Sequence, residues 1–345
     1  ASIDLLCLGE MIVDFYPDVV GLPLREVGGF NMYQGGAPAN VAIGAARLGR
    51  RVAMTSAVGR DEFGLFLLNA LAEEGVNVES VRSIGEGHTP ITFLSLDLHG
   101  ERSFTVFRSQ SSDRCFSPAH LDLKLISECQ IMHFGSNFMT TEANNEATHC
   151  ALDTALANGC LISFDANLRT HLWDNPKQAV TRTRHVLGRT HVVKVNDTEN
   201  EMLALTTDPG EAFQSLYGPA GVQVLLVTHG AEGATLVTPK AHLRIPGRQV
   251  ESVDTTGAGD AFAAALLAGM SMWAQHAGAE DLLAFVTNMD GDEWHPLLAL
   301  ANYAGSIVCT EYGATTAMPH KEQVPWEALG IPTEGPWVEH TEVES

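Results

Sequence analysis

The densest chemical signal in this 345-residue chain is Asp254-Thr255-Thr256-Gly257-Ala258-Gly259-Asp260, followed by the strong helix formers Ala261-Phe262-Ala263-Ala264-Ala265-Leu266-Leu267. A glycine-rich turn that opens a helix aims unpaired backbone N–H groups and the positive end of the helix dipole at an anion, and a phosphoryl group in transfer fits that description. An aspartate in the first helical turn would repel a phosphate. It is well placed to take a proton from an attacking hydroxyl, so Asp260 reads as a general base and Gly257, Ala258 and Gly259 as its anion hole. The plainer alternative is an aspartate that caps its own helix.

A second glycine-rich start runs from Gln34-Gly35-Gly36-Ala37-Pro38-Ala39-Asn40 to Gly49. Pro38 suits a first helical turn, Gly35 and Gly36 let a ligand approach the main chain, and the Asn40 amide can pair with sugar hydroxyls; a closely packed helix would read almost the same way. Asp165-Ala166-Asn167-Leu168-Arg169 follows a strand-like run, at the carboxyl end where open α/β sheets bind ligands, and Arg169 can grip an anion or a polyol. Lys194-Val195-Asn196-Asp197-Thr198-Glu199 also follows a strand. The Asn196–Glu199 spacing fits a magnesium site held through waters, and equally a helix cap with its return partner. Thr228, Gly230 and Gly233 join two further strand-like runs and can border nucleotide phosphate or ribose, or simply form a hairpin turn. Asn302, on a long apolar helix before Tyr312-Gly313-Ala314, can wall an adenine pocket, and ordinary core packing explains that helix equally well.

These residues need a sheet with helices around it. From about Ile131 onward, short β-branched runs alternate with amphipathic stretches, as in βα units wound into a mostly parallel sheet. Strands are expected at 160–164, 191–195 and 222–228, and helices at 62–74 (stopped by Gly75), 142–158 and 176–187. Segments 15–34 and 89–110 break the alternation. They read as a small accessory β-sheet, the second as a hairpin of 91–96 and 103–107, suited to a lid that excludes water, or simply an edge hairpin. Residues 1–325 then form one α/β domain, and 326–345 an acidic, Pro-rich tail with little ordered structure.

Composition narrows the partners. The net charge of −22 opposes nucleic acid, and no apolar run approaches the roughly 20 residues of a membrane span. The six cysteines form no C-x-x-C pair and the 14 histidines no H-E-x-x-H, so reduced thiols and no cysteine or histidine metal site are expected. The amino-terminal residues have no signal-peptide pattern, and a cytoplasmic location is the expectation. No G-x-G-x-x-G follows the first strand, which disfavours a dinucleotide oxidoreductase.

In this order the motifs resemble the ribokinase-like carbohydrate kinases, the PfkB family, over about Leu5–Pro319. Gly35-Gly36-Ala37-Pro38-Ala39-Asn40 is similar to the first family signature and Asp254–Asp260 to the second. Gly9-Glu10, Asp165–Arg169 with Leu172-Trp173, and the Gly100–Arg108 hairpin resemble bacterial-type fructokinases. The resemblance implies a three-layer αβα sandwich with a β lid, and ATP-dependent phosphorylation of a sugar, fructose to fructose 6-phosphate first. The alternatives are 2-keto-3-deoxygluconate, ribose or a nucleoside, or a nonenzymatic sugar or nucleotide sensor on the same fold. It implies Asp14, Gly35, Gly36, Asn40, Arg108 and Arg169 at the sugar. Lys194, Asn196, Thr228, Gly230, Gly233, Gly257, Gly259 and Asn302 would stand at ATP. Asn196 and Glu199 would order Mg2+ through waters, and main-chain oxygens of Asp254, Thr256, Val308, Glu311 and Gly313 would hold K+. An apolar lid face makes a homodimer through the lid an expectation. Two departures stand out: Ser109-Gln110-Ser111-Ser112-Asp113 replaces the Asn-Pro-Ser-Ala-Asp-like stretch common after this arginine, and 275–295 is unusually long and acidic.

Overall fold

A computed structural model of the chain describes residues 3–96 and 102–329. Its main sheet has nine strands: β1 (Ile3–Leu8), β4 (Val52–Gly59), β5 (Val81–Ile84), β8 (Cys129–Gly135), β9 (Leu161–Asp165), β10 (Val192–Asn196), β11 (Val224–Thr228), β12 (Gly233–Val237) and β13 (His242–Pro246). The order is β13-β12-β11-β10-β9-β8-β1-β4-β5. All neighbours are parallel except the last two pairs, β11–β12 and β12–β13. The chain moves outward from β1 to β4 and β5 and then returns to β8 on the other side of β1. That reversal opens a crevice at the carboxyl ends of the strands, where ligands of such sheets bind.

Both faces of the sheet are buried, and β1 shows how. Leu5 and Cys7 pack with one core, under helices Ala37–Arg47, Glu62–Glu73, Ala258–His276 and Gly291–Val308. Leu6 and Leu8 pack with the other, under Glu142–Ala157, Pro176–Leu187 and Asp197–Ala204. The period-2 direction of strand side chains thus produces the expected three-layer αβα sandwich. Helix 258–276 is buried nearly all round because its alanines let neighbours approach: a Cβ on Gly44 of helix 37–47 would stand 2.7 Å from Ala264 Cβ.

The lid is a separate sheet of β2 (Ile12–Pro17), β3 (Phe30–Gly35), β6 (Ile91–Leu96) and β7 (Arg102–Phe107), ordered β3-β2-β6-β7. Phe15 and Phe93 stack at 4.7 Å between ring centroids, and Phe63 of helix 62–73 meets Phe15 edge-on at 5.6 Å, so this face rests on the body. Met32, Phe104 and Phe107 stay exposed. The expected hairpin is present with its second strand one residue longer; its turn, 97–100, and the tail from 330 lie outside the described residues.

The expected helices and strands occur within one or two residues, and Pro176–Leu187 coincides. Alternation begins earlier than expected, because β1, β4 and β5 already belong to the main sheet. The acidic stretch 275–295 has a structural explanation: Asp281 and Asp290 cap the helices Leu282–Asn288 and Gly291–Val308, each accepting from first-turn N–H groups. No helix of the described residues is long and apolar enough to cross a membrane, and all six cysteines are free thiols.

Candidate active site

Most long helices of the body are closed by a side chain at the start: Asp61, Thr141, Asn175, Asn196 and Asp290 all accept from first-turn N–H groups. The two helices whose starts face the crevice are not. Gly36 and Gly257 stand at their N-caps at φ 99° and 81°, with no side-chain cap. Asp260 therefore does not cap its own helix; Ala258 N–H makes a long bond to Thr255 O at 3.3 Å, and the donors beside it remain for an anion. Gly257 also tolerates no side chain, since a Cβ there would stand 2.7 Å from Ala314 Cα.

The two starts meet through Asn40, whose Nδ2 donates to Asp260 Oδ2 at 2.7 Å. Asn40 is buried and its Oδ1 has no partner. Burial pushes the Asp260 carboxyl up to about 6; the Asn40 hydrogen bond and the charges of Lys194 and Arg169 act against that, and Asp165 adds to it. Lys194 Nζ donates to Asp165 Oδ2 at 2.7 Å and stands 3.0 Å from where a Cβ on Gly259 would lie, at the edge of the anion hole. Arg169 is exposed just beyond β9, after Asn167 has turned the chain at φ 36°.

Glu199 and Asn196 form the reciprocal cap that the spacing allowed: Glu199 Oε2 accepts from Asn196 N–H at 2.9 Å, and Asn196 Oδ1 from Glu199 N–H at 2.8 Å. Glu199 Oε1 also accepts from Leu168 N–H at 2.8 Å. The cap is a fact of the fold, and it leaves Glu199 only its remaining lone pairs for waters.

At the lid side, Asp14 is held against Gly35, where a Cβ would collide with its carboxylate, and burial raises its carboxyl to about 7, with Asp254 adding to the rise. Gly36 is likewise closed off by the Glu10 carbonyl. Arg108 is buried rather than open to the crevice: Nε donates to Asp113 Oδ2 at 2.7 Å and Nη2 to Asn137 O at 2.9 Å, leaving Nη1 without a partner. Glu10 beside it is buried with Oε2 unpartnered; burial takes it up to about 7, opposed by Arg108. The departure after Arg108 is scaffolding. Ser111 Oγ donates to Arg108 O at 2.8 Å and to Asp113, and Ser112 Oγ donates to Gly87 O at 2.9 Å, so Asp113 stays fixed on Arg108. Glu10, Asp113 and Asn137 were not among the expected site residues. They come from three distant segments, and only the Gly9-Glu10 pair gave a signal.

A cavity of about 240 Å³ adjoins the anion hole, lined by Thr228, Gly230, Gly233, Val250, Phe262, Asn302 and Ser306 among others. Asn302 Nδ2 donates to Pro246 O at 2.9 Å, which fixes the amide on its wall. Asn196 is the ladder partner of Thr228 at the rim. The expected cation loop is drawn together by Asp254, whose Oδ1 accepts from Thr256 N–H at 2.9 Å and Oδ2 from Gly313 N–H at 3.1 Å. Val308 is buried at the end of the adjoining helix and Glu311 is exposed in the same loop. Among the described residues no three His, Cys, Asp or Glu side chains gather as metal ligands.

The pfkB family carbohydrate kinase model matches residues 2–321. This chain belongs to the pfkB carbohydrate kinases. It is 36% identical over 316 residues to fructokinase-2 of Solanum habrochaites, covering 91% of this chain and 93% of that one. Against fructokinase-2 of Zea mays it is 36% identical over 311 residues, covering 90% of each. These relatives are plant enzymes, whereas the motifs had pointed to the bacterial type, which appears among the similar structures. Fructokinase from Xylella fastidiosa with bound ATP superposes with a TM-score of 0.82 at 33% identity, covering 92% of this chain and 96% of that one. Fructokinase from Vibrio cholerae O395 in its fructose-, ADP- and calcium-bound form gives 0.77 at 31% identity, covering 92% and 97%.

Proposed function

We propose that this pfkB kinase transfers the γ-phosphoryl group of ATP to the C6 hydroxyl of fructose. The observation that carries the reading is Asp260, a half-buried carboxylate raised to about 6, beside helix donors that no side chain caps. At pH 7 it is mostly ionised and is a stronger base than a solvated aspartate. It takes the hydroxyl proton as the oxygen attacks the γ-phosphorus and ADP leaves, while the N–H groups of Gly257, Ala258 and Gly259 receive the charge of the transferred group. Asn40 holds the carboxylate by Oδ2 and offers Oδ1 to a sugar hydroxyl. The cavity beside Asn302 takes the adenosine end of the nucleotide.

Asp165, Glu199 and Asp260 surround the single ammonium of Lys194, and this excess of negative charge suits a divalent cation. Mg2+ bound through waters near Asn196 and Glu199 would supply charge neutralisation on the ATP phosphates. The Asp254 hydrogen bonds shape the loop whose main-chain oxygens would hold K+.

The electrostatics favour a neutral sugar. Arg108 is already answered by Asp113, so of the two arginines expected at the sugar only Arg169 is left to meet a 2-keto-3-deoxygluconate carboxylate. The exposed Met32, Phe104 and Phe107 support a homodimer through the lid, for which size-exclusion chromatography with light scattering should give twice the 37.0 kDa chain mass. ADP release with MgATP across fructose, 2-keto-3-deoxygluconate, ribose, glucose and adenosine tests the activity. The highest kcat/KM belongs to fructose; preference for the keto acid overturns the substrate, and silence on all five favours a sensor.

A further inference from the structure

The sheet face under helix 258–276 is apolar along most of its length, with Leu5, Cys7, Ile131, Leu161, Val192 and Val224 in one core. At the carboxyl ends of β8, β9 and β10 it turns polar. His133, Ser163, Asp165 and Lys194 occupy the same face, all of them buried. His133 Nδ1 bonds Ser163 Oγ at 3.0 Å, and one ladder step on, Asp165 and Lys194 are register partners joined at 2.7 Å. Burying four polar side chains where aliphatic ones would pack is unfavourable unless the pattern serves the crevice above.

Two details show how it serves. Lys194 Nζ reaches from the sheet to the helix start, 3.0 Å from a Cβ built on Gly259, and gives one of its three N–H donors to Asp165. Asp165 uses one oxygen for Lys194, while Oδ1 is buried without a partner. A lysine stem is flexible, and a single fixed anion beneath it restricts where the ammonium stands.

We propose that Asp165 is a positioning residue for phosphoryl transfer: it holds the Lys194 ammonium at the edge of the anion hole, where charge develops on the transferred group, and acts on the reaction through Lys194. The inference rests on the kinase reading above and adds a residue to it. The groups facing Lys194 are Asp165, Glu199 and Asp260; those facing Asp260 are Asn40, Asp165, Lys194 and Arg169, with Glu10 and Asp14 across the crevice.

The test is a double-mutant cycle with MgATP and fructose, using Asp165→Asn, Lys194→Gln and the pair, with folding checked by circular dichroism. Asp165→Asn lowers kcat by about 30-fold with fructose KM within about threefold, and Lys194→Gln lowers it by about 1,000-fold. The double variant is no slower than Lys194→Gln, because Asp165 acts only through the lysine. The acidic limb of kcat/KM moves down in pH in Asp165→Asn, which removes a negative neighbour of Asp260, and up in Lys194→Gln, which removes a positive one. A merely structural role gives losses that add in the cycle. Additive losses, or limbs that stay together, overturn the proposal. Should Asp165→Asn fail to fold, Asp165→Glu replaces it: kcat falls while the limb stays near wild type, and full kcat overturns the proposal. Wild-type silence on fructose would count against the substrate reading instead, and the cycle is then run on the sugar that turns over.

Discussion

Asp4, buried, and Asp260, half-buried, are aspartates of the same body at opposite ends of the sheet, and their surroundings push them in opposite directions. At the amino end, Asp4 accepts from Arg51 N–H at 2.9 Å, Arg51 Nη2 at 2.6 Å and Gln275 Nε2 at 2.9 Å. Burial would raise it, but the Arg51 bonds outweigh burial and hold its carboxyl below the usual range. At the carboxyl end, Asp260 has Asn40 for one oxygen, and burial prevails. The cavity beside Asp4, about 850 Å³, is larger than the 240 Å³ one beside Asp260, yet Asp4, Arg51 and Gln275 on its wall already answer one another. Size alone does not mark the site. Unpartnered buried atoms also occur elsewhere, at Thr183, Tyr217 and Trp294, but at the crevice five residues, Glu10, Asn40, Arg108, Asn137 and Asp165, each keep one, and that gathering marks the site.

The largest difference between regions is expected along one helix. Gly257→Ala at its start puts a Cβ against Ala314 at φ 81° and should lower kcat by about 100-fold through displacement of the anion hole. Gly278, just past its end at φ 65°, has open space around it, so Gly278→Ala should cost about 1 kcal/mol of stability and leave kcat unchanged. Steady-state kinetics with urea titration separates the two, and equal kcat in both variants would break the contrast. Next is Arg108→Lys. A lysine cannot span Asp113 and the Asn137 carbonyl together, so fructose KM should rise by about tenfold with a smaller change in kcat.

Smaller effects follow from the two carboxylates. A group raised from 3.8 to about 6 holds a proton in the folded state that the unfolded chain has already lost, so its contribution to stability falls as pH rises through that window. Asp260→Asn should therefore stabilise the protein by about 1–3 kcal/mol at pH 7 and by less at pH 4. Asp4 has the opposite sign: its contribution is present above its ordinary pKa of 3.8 and is lost as pH falls below that, so Asp4→Asn should destabilise by about 1–2 kcal/mol at pH 7. Calorimetry at both pH values checks the pair. Finally, kcat/KM should fall below about pH 6, and Asn40→Ala, which removes a bond that lowers the Asp260 pKa, should move that limb upward.

Legibility in the sequence followed the range of the interactions. Gly257–Asp260 and helix 176–187 were readable because turn chemistry, capping and helical period are local. The first strands were harder. β4 is wholly buried yet carries Thr55 and Ser56, and Thr55 is satisfied only by Ser80, 3.0 Å away in another segment. The same limit hid half of the site. Arg108 read as a sugar contact, and its hold by Asp113 and Asn137 came only with the fold; Asp165 read as a residue after the strand at the ligand-binding end, and its pairing with Lys194 came only with the ladder register. Asn196 and Glu199 were legible as a cap, which the fold contains, while a metal there depends on charges contributed by other strands.

The most direct measurement compares wild type, Asp260→Asn and Asp4→Asn for fructose-dependent ADP release at pH 7.5, with nucleotide binding followed by calorimetry. Asp260→Asn should lose at least about 1,000-fold in kcat while still binding MgATP and fructose, and Asp4→Asn should turn over as wild type does. An Asp260→Asn variant with unchanged kcat would contradict the assignment of this aspartate as the base.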